Sequence, residues 1–211
     1  MATSLRGIRG VVYVVDDDAG VRRALTRLIR QADLEVLGFA SAEEFLELAP
    51  VDDKPACLVV DLVLPGHSGL DLQGQLARRG CDLPIIFISG RGSLESGVQA
   101  MKGGAVDFLE KPVSQEILSA AIERALERAR SSRTSTAERR RLSGRAERLT
   151  PREREVFGLV VEGLPNKEVG AKLGTTEKTV KVHRARVMEK MEADSLPDLV
   201  RMADKLGPGG P

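Results

Sequence analysis

Apolar and polar positions alternate in blocks along residues 11–112, and each block has the length of a strand or a helix. Short, nearly continuous apolar runs rich in β-branched residues predict strands buried on both faces. Runs with apolar residues three or four positions apart predict amphipathic helices. Strands that alternate with helices indicate a parallel sheet covered by helices on both faces. The predicted strands are 11–15, 57–60, 83–88 and 105–109, and the predicted helices are 21–32, 41–48, 70–79, 93–103 and 114–130.

A different pattern begins near residue 149, because only helical periodicities follow it. Thr150 and Glu153 have the spacing of a capping box, and Pro151 occupies the first helical position, where its missing N–H costs nothing. A second, all-α domain of four helices is therefore predicted. Its helices are 152–162, 166–173, 176–191 and 195–205.

Residues 126–148 lie between these two parts, and we interpret them as a linker. The pattern is interrupted at 131–136, and 137–149 is rich in Arg. The sequence leaves open whether this segment is a rigid helix or a hinge. It also leaves open whether the Arg-rich stretch is a solvated connector or a basic arm that contacts DNA phosphate.

Composition narrows the class of protein. The 211 residues are 42% hydrophobic and 30% charged, as in an ordinary globular protein. No apolar run approaches the roughly 20 residues of a membrane span, and the first residues lack the apolar core of a signal peptide. We therefore expect a cytoplasmic protein with no membrane association. Cys57 and Cys81 are not arranged as a CxxC motif, and with only 2 His in the chain a zinc site is not expected.

The net charge of +1 conceals an asymmetry. Acidic side chains outnumber basic ones in residues 1–123, whereas basic side chains predominate in residues 124–148. This division indicates that the two parts of the chain have separate tasks.

Polar residues follow the predicted strands at their carboxyl ends, which is where open parallel sheets bind their ligands. Clustered carboxylates repel one another and call for a cation. Mg²⁺ suits such a site because it joins one or two carboxylates to a phosphoryl group, and Mn²⁺ is the alternative ion. The residues concerned are Asp16, Asp17, Asp18, Asp61, Ser89 and Lys111.

The chemistry that fits this set is phosphoryl transfer. A carboxylate such as Asp61 can act as a nucleophile and form an aspartyl phosphate. The metal and Lys111 would neutralise charge on the transferring group, and the Ser89 hydroxyl could bind one of its oxygens.

Four motifs at successive strand ends resemble those of the receiver domain of two-component response regulators, over about residues 1–125. They are Val14-Val15-Asp16-Asp17-Asp18, Val60-Asp61-Leu62-Val63-Leu64-Pro65-Gly66, Ile88-Ser89-Gly90 and Lys111-Pro112. The resemblance implies a flavodoxin-like, doubly wound, five-stranded parallel sheet.

The same resemblance assigns roles to individual residues. Asp61 is the phosphoacceptor, and the metal ligands are Asp16, Asp17, Asp61 and the Val63 carbonyl. Lys111 pairs with the phosphate, and Ser89 and Phe108 are the switch residues. Ser89 stands where Thr is commoner, and Phe108 replaces the Tyr of many relatives and so lacks its hydroxyl.

Residues 149–206 resemble a LuxR-type helix-turn-helix domain, and the combination with a receiver resembles the NarL/FixJ response regulators, with a lean to the FixJ branch. The resemblance is carried by Leu149-Thr150-Pro151-Arg152-Glu153-Arg154-Glu155-Val156, Asn166-Lys167-Glu168-Val169 and Thr179-Val180-Lys181-Val182-His183-Arg184-Ala185-Arg186-Val187-Met188. It implies base contacts by Thr179, Lys181, Val182 and Arg186, and phosphate contacts by Lys178, Arg184 and Asn166.

The sequence thus predicts a transcription regulator that a sensor histidine kinase phosphorylates, and that then forms a homodimer and binds promoter DNA. It is not expected to be an enzyme, beyond promoting its own phosphorylation and dephosphorylation. Three alternatives stay open. The first is a phosphohydrolase with Asp16 as nucleophile and Asp18 as general acid. The second is a receiver that acts through protein partners without DNA, and the third is a receiver that is never phosphorylated.

Overall fold

The computed structural model describes residues 10–49, 54–90 and 94–207. The chain divides into two compact units, one ending at Arg133 and the other beginning at Thr134. Among the described residues, no helix combines the length and the apolar character that crossing a bilayer requires.

The first unit contains a five-stranded sheet in which all neighbouring strands are parallel, in the order β2-β1-β3-β4-β5. The strands are β1 (Val11–Val15), β2 (Glu35–Phe39), β3 (Ala56–Asp61), β4 (Ile85–Ser89) and β5 (Asp107–Glu110). Its helices are α1 (Ala19–Arg30), α2 (Ala42–Leu48), α3 (Gly69–Arg78), α4 (Leu94–Lys102) and the part of α5 (Gln115–Glu147) up to Arg133.

Two hydrophobic cores lie on opposite faces of this sheet. On one face, Val12, Val59 and Ile86 pack with residues of α1 and α5. On the other, Leu58 and Phe87 pack with residues of α2, α3 and α4. The predicted doubly wound arrangement is confirmed, and burial of both faces explains why the central strands are almost continuously apolar.

The strand β2 was not located by the apolar pattern. It lies at the edge of the sheet, and along Glu35–Phe39 only Val36 and Phe39 are buried. An edge strand with polar and small residues at exposed positions lacks the apolar run that marks a central strand. The strand β5 also begins two residues later than the predicted 105–109, because its pairing with β4 starts at Ile86 and Asp107.

Helix α5 is continuous through 131–136, where the sequence pattern is interrupted. That interval contains Ser, Thr and Arg but no Pro or Gly, so it has modest helix propensity and no residue that breaks a helix. Its hydroxyl side chains need not leave the helix: Ser132 donates to Asp82 Oδ2 at 2.5 Å. The helix ends at Glu147, inside the segment interpreted as a linker.

The second unit is all-α, as predicted. Its helices are α6 (Pro151–Val161), α7 (Asn166–Lys172), α8 (Glu177–Met191) and α9 (Leu196–Leu206). Their apolar faces share one core with Leu142 and Ala146 from the end of α5. The predicted capping box is present: Glu153 N–H donates to Thr150 Oγ1 at 3.3 Å, and Thr150 N–H donates to Glu153 Oε2 at 2.8 Å.

Candidate functional site

Three carboxylates meet at the carboxyl edge of the sheet. Asp16 directly follows β1, and Asp61 is the last residue of β3. Val15 is in register with Val60, so the next residues, Asp16 and Asp61, lie side by side at the ends of adjacent strands. Carboxylate oxygens of Asp16, Asp17 and Asp61 all lie within 4.8 Å of one another. The predicted convergence of strand ends is therefore observed.

Lys111 supplies the cation of this cluster. Its Nζ lies 2.8 Å from Asp16 Oδ2 and also donates to Asp61 Oδ2. The Lys111 backbone N–H donates to the Ser89 carbonyl at 2.8 Å, which ties the loop after β5 to the end of β4. Burial of the ammonium opposes its charge, but the hydrogen bonds to the two carboxylates outweigh burial and raise the pKa of Lys111.

The buried position of Asp16 affects its protonation. Burial raises the pKa of the Asp16 carboxyl, and this effect exceeds the opposing hydrogen bond and charge of Lys111. Asp61 lies close by and adds to the rise through like-charge repulsion. A second cation would relieve this repulsion, so the electrostatics favour a metal ion at this position.

The donor set suits a hard divalent cation. Three carboxylates at the ends of two neighbouring strands offer oxygen ligands of the kind that Mg²⁺ prefers. Val63 lies beside them, and its N–H donates to Asp61 Oδ1 at 3.1 Å, which orients the carboxylate. The Val63 carbonyl stays a predicted ligand.

Gly69, at the start of α3, packs against the end of β3, where Asp61 lies. A Cβ atom at this position would lie 2.5 Å from the Asp61 carbonyl oxygen and 3.0 Å from the Phe87 ring. A side chain there would therefore displace the backbone of Asp61.

The two predicted switch residues lie on neighbouring strands. Ser89 is the last residue of β4 and is buried. Phe108 is half-buried on β5 and stacks on Phe87, with ring centroids 6.4 Å apart. Beyond Phe108, helix α4 exposes Leu94, Val98 and Met101.

Asp18 is not part of the carboxylate cluster. Its Oδ1 accepts hydrogen bonds from Gly20 N–H at 2.6 Å and Val21 N–H at 3.0 Å, so it is the N-cap of α1. The hydrogen bonds from these two N–H groups lower the pKa of the Asp18 carboxyl. Because both N–H groups bond to Oδ1, this carboxylate serves the start of α1, and the general-acid role of the phosphohydrolase alternative stays a prediction.

Arg22 contacts the acidic loop and was not predicted from the sequence. Its Nη1 donates to the Asp16 carbonyl at 2.6 Å and to the Asp17 carbonyl at 3.4 Å. No motif marks this residue, because the contact depends on the direction in which α1 leaves the loop.

The second unit contains a helix-turn-helix formed by α7, a turn and α8. Gly170 allows the two helices to approach, since a Cβ atom there would lie 2.9 Å from the Thr175 carbonyl oxygen. Thr176 caps α8 as predicted, accepting from Thr179 N–H at 3.2 Å. Val180, Val187 and Met191 face the core.

The predicted DNA-contacting residues lie mostly on the outer face of α8. Arg184 and Asn166 are linked across the two helices, with Arg184 Nη1 donating to Asn166 Oδ1 at 3.2 Å. Among the described residues, His183 Nδ1 is buried without a hydrogen-bond partner, which favours a packing role for this ring. The exposed members of the predicted set are Lys178, Thr179, Lys181, Val182 and Arg186.

An internal ion pair holds α8 against the start of α6. Lys190 Nζ lies 2.6 Å from Glu153 Oε2, and the Glu153 side chain is only 2% exposed. Burial opposes ionisation of Glu153, but hydrogen bonds from Lys190 and Thr150 outweigh burial and lower its pKa to about 2. The same carboxylate thus caps one helix and positions another.

Sequence comparisons agree with both units. Residues 12–123 match the family described as response regulator receiver domain, and residues 147–203 match that described as bacterial regulatory proteins, luxR family. Nodulation protein W of Bradyrhizobium diazoefficiens is 49% identical over 199 residues, covering 94% of this chain and 87% of that protein. The transcriptional regulatory protein FixJ of Rhizobium meliloti is 42% identical over 192 residues, covering 91% and 94%.

Solved structures give the same result. The response regulator StyR is 40% identical, with a TM-score of 0.80 and coverage of 93% of this chain and 98% of that one. Full-length FixJ from B. japonicum is 38% identical, with a TM-score of 0.57 and coverage of 94% and 97%. The chain therefore belongs to the FixJ-like response regulators of two-component systems, which join a receiver domain to a LuxR-type DNA-binding domain.

Proposed function

We propose that this protein is a transcription regulator whose binding to promoter DNA depends on phosphorylation of Asp61 by a sensor histidine kinase. The observation that carries the proposal is the arrangement around Asp61. Its carboxylate lies within 4.8 Å of those of Asp16 and Asp17 and is bonded by Lys111. In a chain that also has a helix-turn-helix, such a site is best explained as a switch.

In the phosphorylation step, an Asp61 carboxylate oxygen forms a bond to phosphorus while the bond from phosphorus to the kinase histidine nitrogen breaks. The electron pair of that bond goes to the departing imidazole. Val63 N–H orients Asp61 through Oδ1, and Lys111 is placed to pair with an oxygen of the transferred group.

The residues that would hold Mg²⁺ or Mn²⁺ are Asp16, Asp17, Asp61 and the carbonyl of Val63. When bound, the ion would neutralise charge on the phosphoryl group. Until then, Lys111 offsets part of the negative charge of the cluster through its bonds to Asp16 and Asp61.

Phosphorylation of Asp61 would change the conformation of Ser89 and Phe108. Drawing the Ser89 hydroxyl toward the phosphoryl group and Phe108 inward would repack the surface formed by α4 and β5. That surface exposes the apolar side chains of Leu94, Val98 and Met101. Burying them in a homodimer would favour the phosphorylated packing, as a shift between two populations.

The output is DNA binding by α8. Thr179, Lys181, Val182 and Arg186 would contact base edges, since side chains from the N-terminal part of a recognition helix enter the major groove. Lys178, Arg184 and Asn166 would contact phosphate and fix the register. We propose no catalytic turnover beyond the protein's own phosphorylation and dephosphorylation.

Labelling by acetyl phosphate in the presence of Mg²⁺ tests the acceptor. The wild-type protein should incorporate one phosphoryl group, and Asp61→Asn should incorporate none. Asp33→Asn is the matched control, because Asp33 is exposed with a positive φ of 58° that Asn also tolerates. Labelling that persists in Asp61→Asn would show that another residue is the acceptor.

A second experiment tests the output. Binding of the phosphorylated and unphosphorylated protein to a promoter fragment is compared by fluorescence anisotropy, with light scattering to measure the oligomeric state. We expect phosphorylation to promote dimers and tighten binding. Equal binding in both states at a verified site would refute the switch, and an absence of any DNA binding would favour action through protein partners.

A further inference from the structure

We infer that a groove between α1 and β2 binds a small anion that carries a chain of linked phosphate groups. The groove has a volume of about 520 Å³, within the range of small-molecule sites. Its polar lining consists of donors: Arg22, Arg23, Thr26, Arg27, Arg30 and Gln31. Of the residues that the structure describes, no carboxylate lines it, although acidic residues predominate in residues 1–123.

The arginines form one stripe along the helix. Arg23 and Arg27 are four residues apart and Arg27 and Arg30 three apart, so their side chains lie on the same face. Like charges at this spacing destabilise a helix, and none of the three forms an ion pair with a described residue. A bound anion would relieve this repulsion further, beyond what the Asp18 carboxylate offsets at Arg23 and the end of the helix dipole offsets at Arg27 and Arg30.

The spacing favours an extended anion over a single phosphate. With a rise of about 1.5 Å per residue, Arg23 and Arg30 are separated by about 10 Å along the helix axis. Each guanidinium can donate two parallel hydrogen bonds to phosphate oxygens. A chain of two or three phosphates could therefore engage successive arginines, whereas one phosphate would leave part of the stripe unpaired.

The absence of a side chain at Gly38 keeps the groove open. Gly38 lies on β2, and a Cβ atom there would lie 3.3 Å from Cγ of Arg22 and 3.8 Å from the Thr26 hydroxyl. A large apolar side chain at this position would therefore enter the groove without changing its charge.

The groove is connected to the acidic cluster through Arg22. This side chain lines the groove and also donates to the carbonyls of Asp16 and Asp17. An anion that engages the Arg22 guanidinium competes with those carbonyls. Binding of an anion in the groove would thus change the hydrogen bonds of the loop that carries Asp16 and Asp17.

Isothermal titration of the full-length protein with tripolyphosphate, without metal and at physiological salt, tests the inference. We expect saturable one-to-one binding that Arg23→Gln/Arg27→Gln weakens by at least about tenfold, as the loss of charge-assisted hydrogen bonds predicts. Gly38→Leu should weaken it without a change in charge. Arg139→Gln/Arg140→Gln, which removes two exposed arginines from α5, should have no effect.

Two further measurements identify which chemical group the groove recognises and where the ligand binds. ATP that binds more tightly than tripolyphosphate would assign the groove to nucleotides, and equal affinities would assign it to the phosphate chain alone. In spectra of ¹⁵N-labelled protein, the amides of Asp16, Asp17 and Asp18 should shift with those of α1. The inference is overturned if wild type shows no saturable binding, or if Lys178→Gln/Lys181→Gln abolishes binding while Arg23→Gln/Arg27→Gln does not.

Discussion

Replacement of Glu153 by Gln should destabilise the DNA-binding unit in a pH-dependent way. In the folded protein this carboxylate accepts from Thr150 N–H and lies 2.6 Å from Lys190 Nζ. Gln retains an acceptor for the cap but removes the charge. Lys190 then loses its anionic partner, and the attachment of α8 to α6 is weakened.

The magnitude follows from the pKa. Glu153 has an ordinary pKa of 4.5, and the fold lowers it to about 2. A difference of that size corresponds to at most about 3 kcal/mol of folding free energy. Lys190 is 32% exposed and partly screened by water, so we expect a loss of about 2 kcal/mol.

The sign of the pH dependence is fixed by the direction of this change. A carboxyl with a depressed folded pKa stabilises the protein fully above its unfolded value of 4.5, and this contribution is lost as the pH falls toward about 2. The difference between wild type and Glu153→Gln should therefore be constant from pH 6 to 8 and shrink steadily below pH 4.5.

The assay is urea unfolding of the full-length protein with pulsed hydrogen exchange, read by mass spectrometry on peptides from α6 and α8. Glu155→Gln is the matched control, since Glu155 lies on the same helix, is 51% exposed and pairs only with Arg152 among the described residues. It should lose less than about 0.5 kcal/mol. A Glu153→Gln difference that is equally small at pH 7, or independent of pH down to pH 3, would refute the reasoning.

Three other perturbations have defined outcomes. Lys181→Ala should cost about 1–3 kcal/mol at one preferred base if it reads guanine, measured by anisotropy on a set of single-base variants of the site, whereas a uniform loss would make it a phosphate contact. Gly170→Ala should lower the melting temperature of the DNA-binding unit, since the added methyl lies 2.9 Å from the Thr175 carbonyl; an unchanged melting profile would contradict the close approach. Gly69→Ala should slow acetyl phosphate labelling of Asp61 while Gly74→Ala, whose added methyl contacts only the end of Arg78, should not.

Much of the fold was accessible to pattern analysis because the relevant forces are local or periodic. The apolar runs at 11–15 and 57–60 identify central strands, since both faces of those strands are buried. Capping residues such as Thr150 and Thr176 mark helix starts because they bond to N–H groups only three residues away. The strand β2 was not predicted, because the burial of its residues depends on its position at the edge of the sheet.

The acidic cluster was predictable for a related reason. Parallel strands bring their carboxyl ends to one edge, so Asp16, Asp61 and Lys111 converge whatever the details of packing. The sequence could not indicate that Lys111 bonds both carboxylates, or that Val63 N–H orients Asp61. Those contacts depend on the directions of loops.

The sequence by itself thus determined the two fold classes, the order of elements except for the edge strand β2, and the residues that meet at the sheet edge, because periodicity and strand direction follow from local geometry. Only the tertiary structure decided that α5 continues through 131–136, that Glu153 is buried against Lys190, and that Arg22 bridges a basic groove and the acidic loop. The physical reason is that these features depend on which surfaces face each other across long sequence separations.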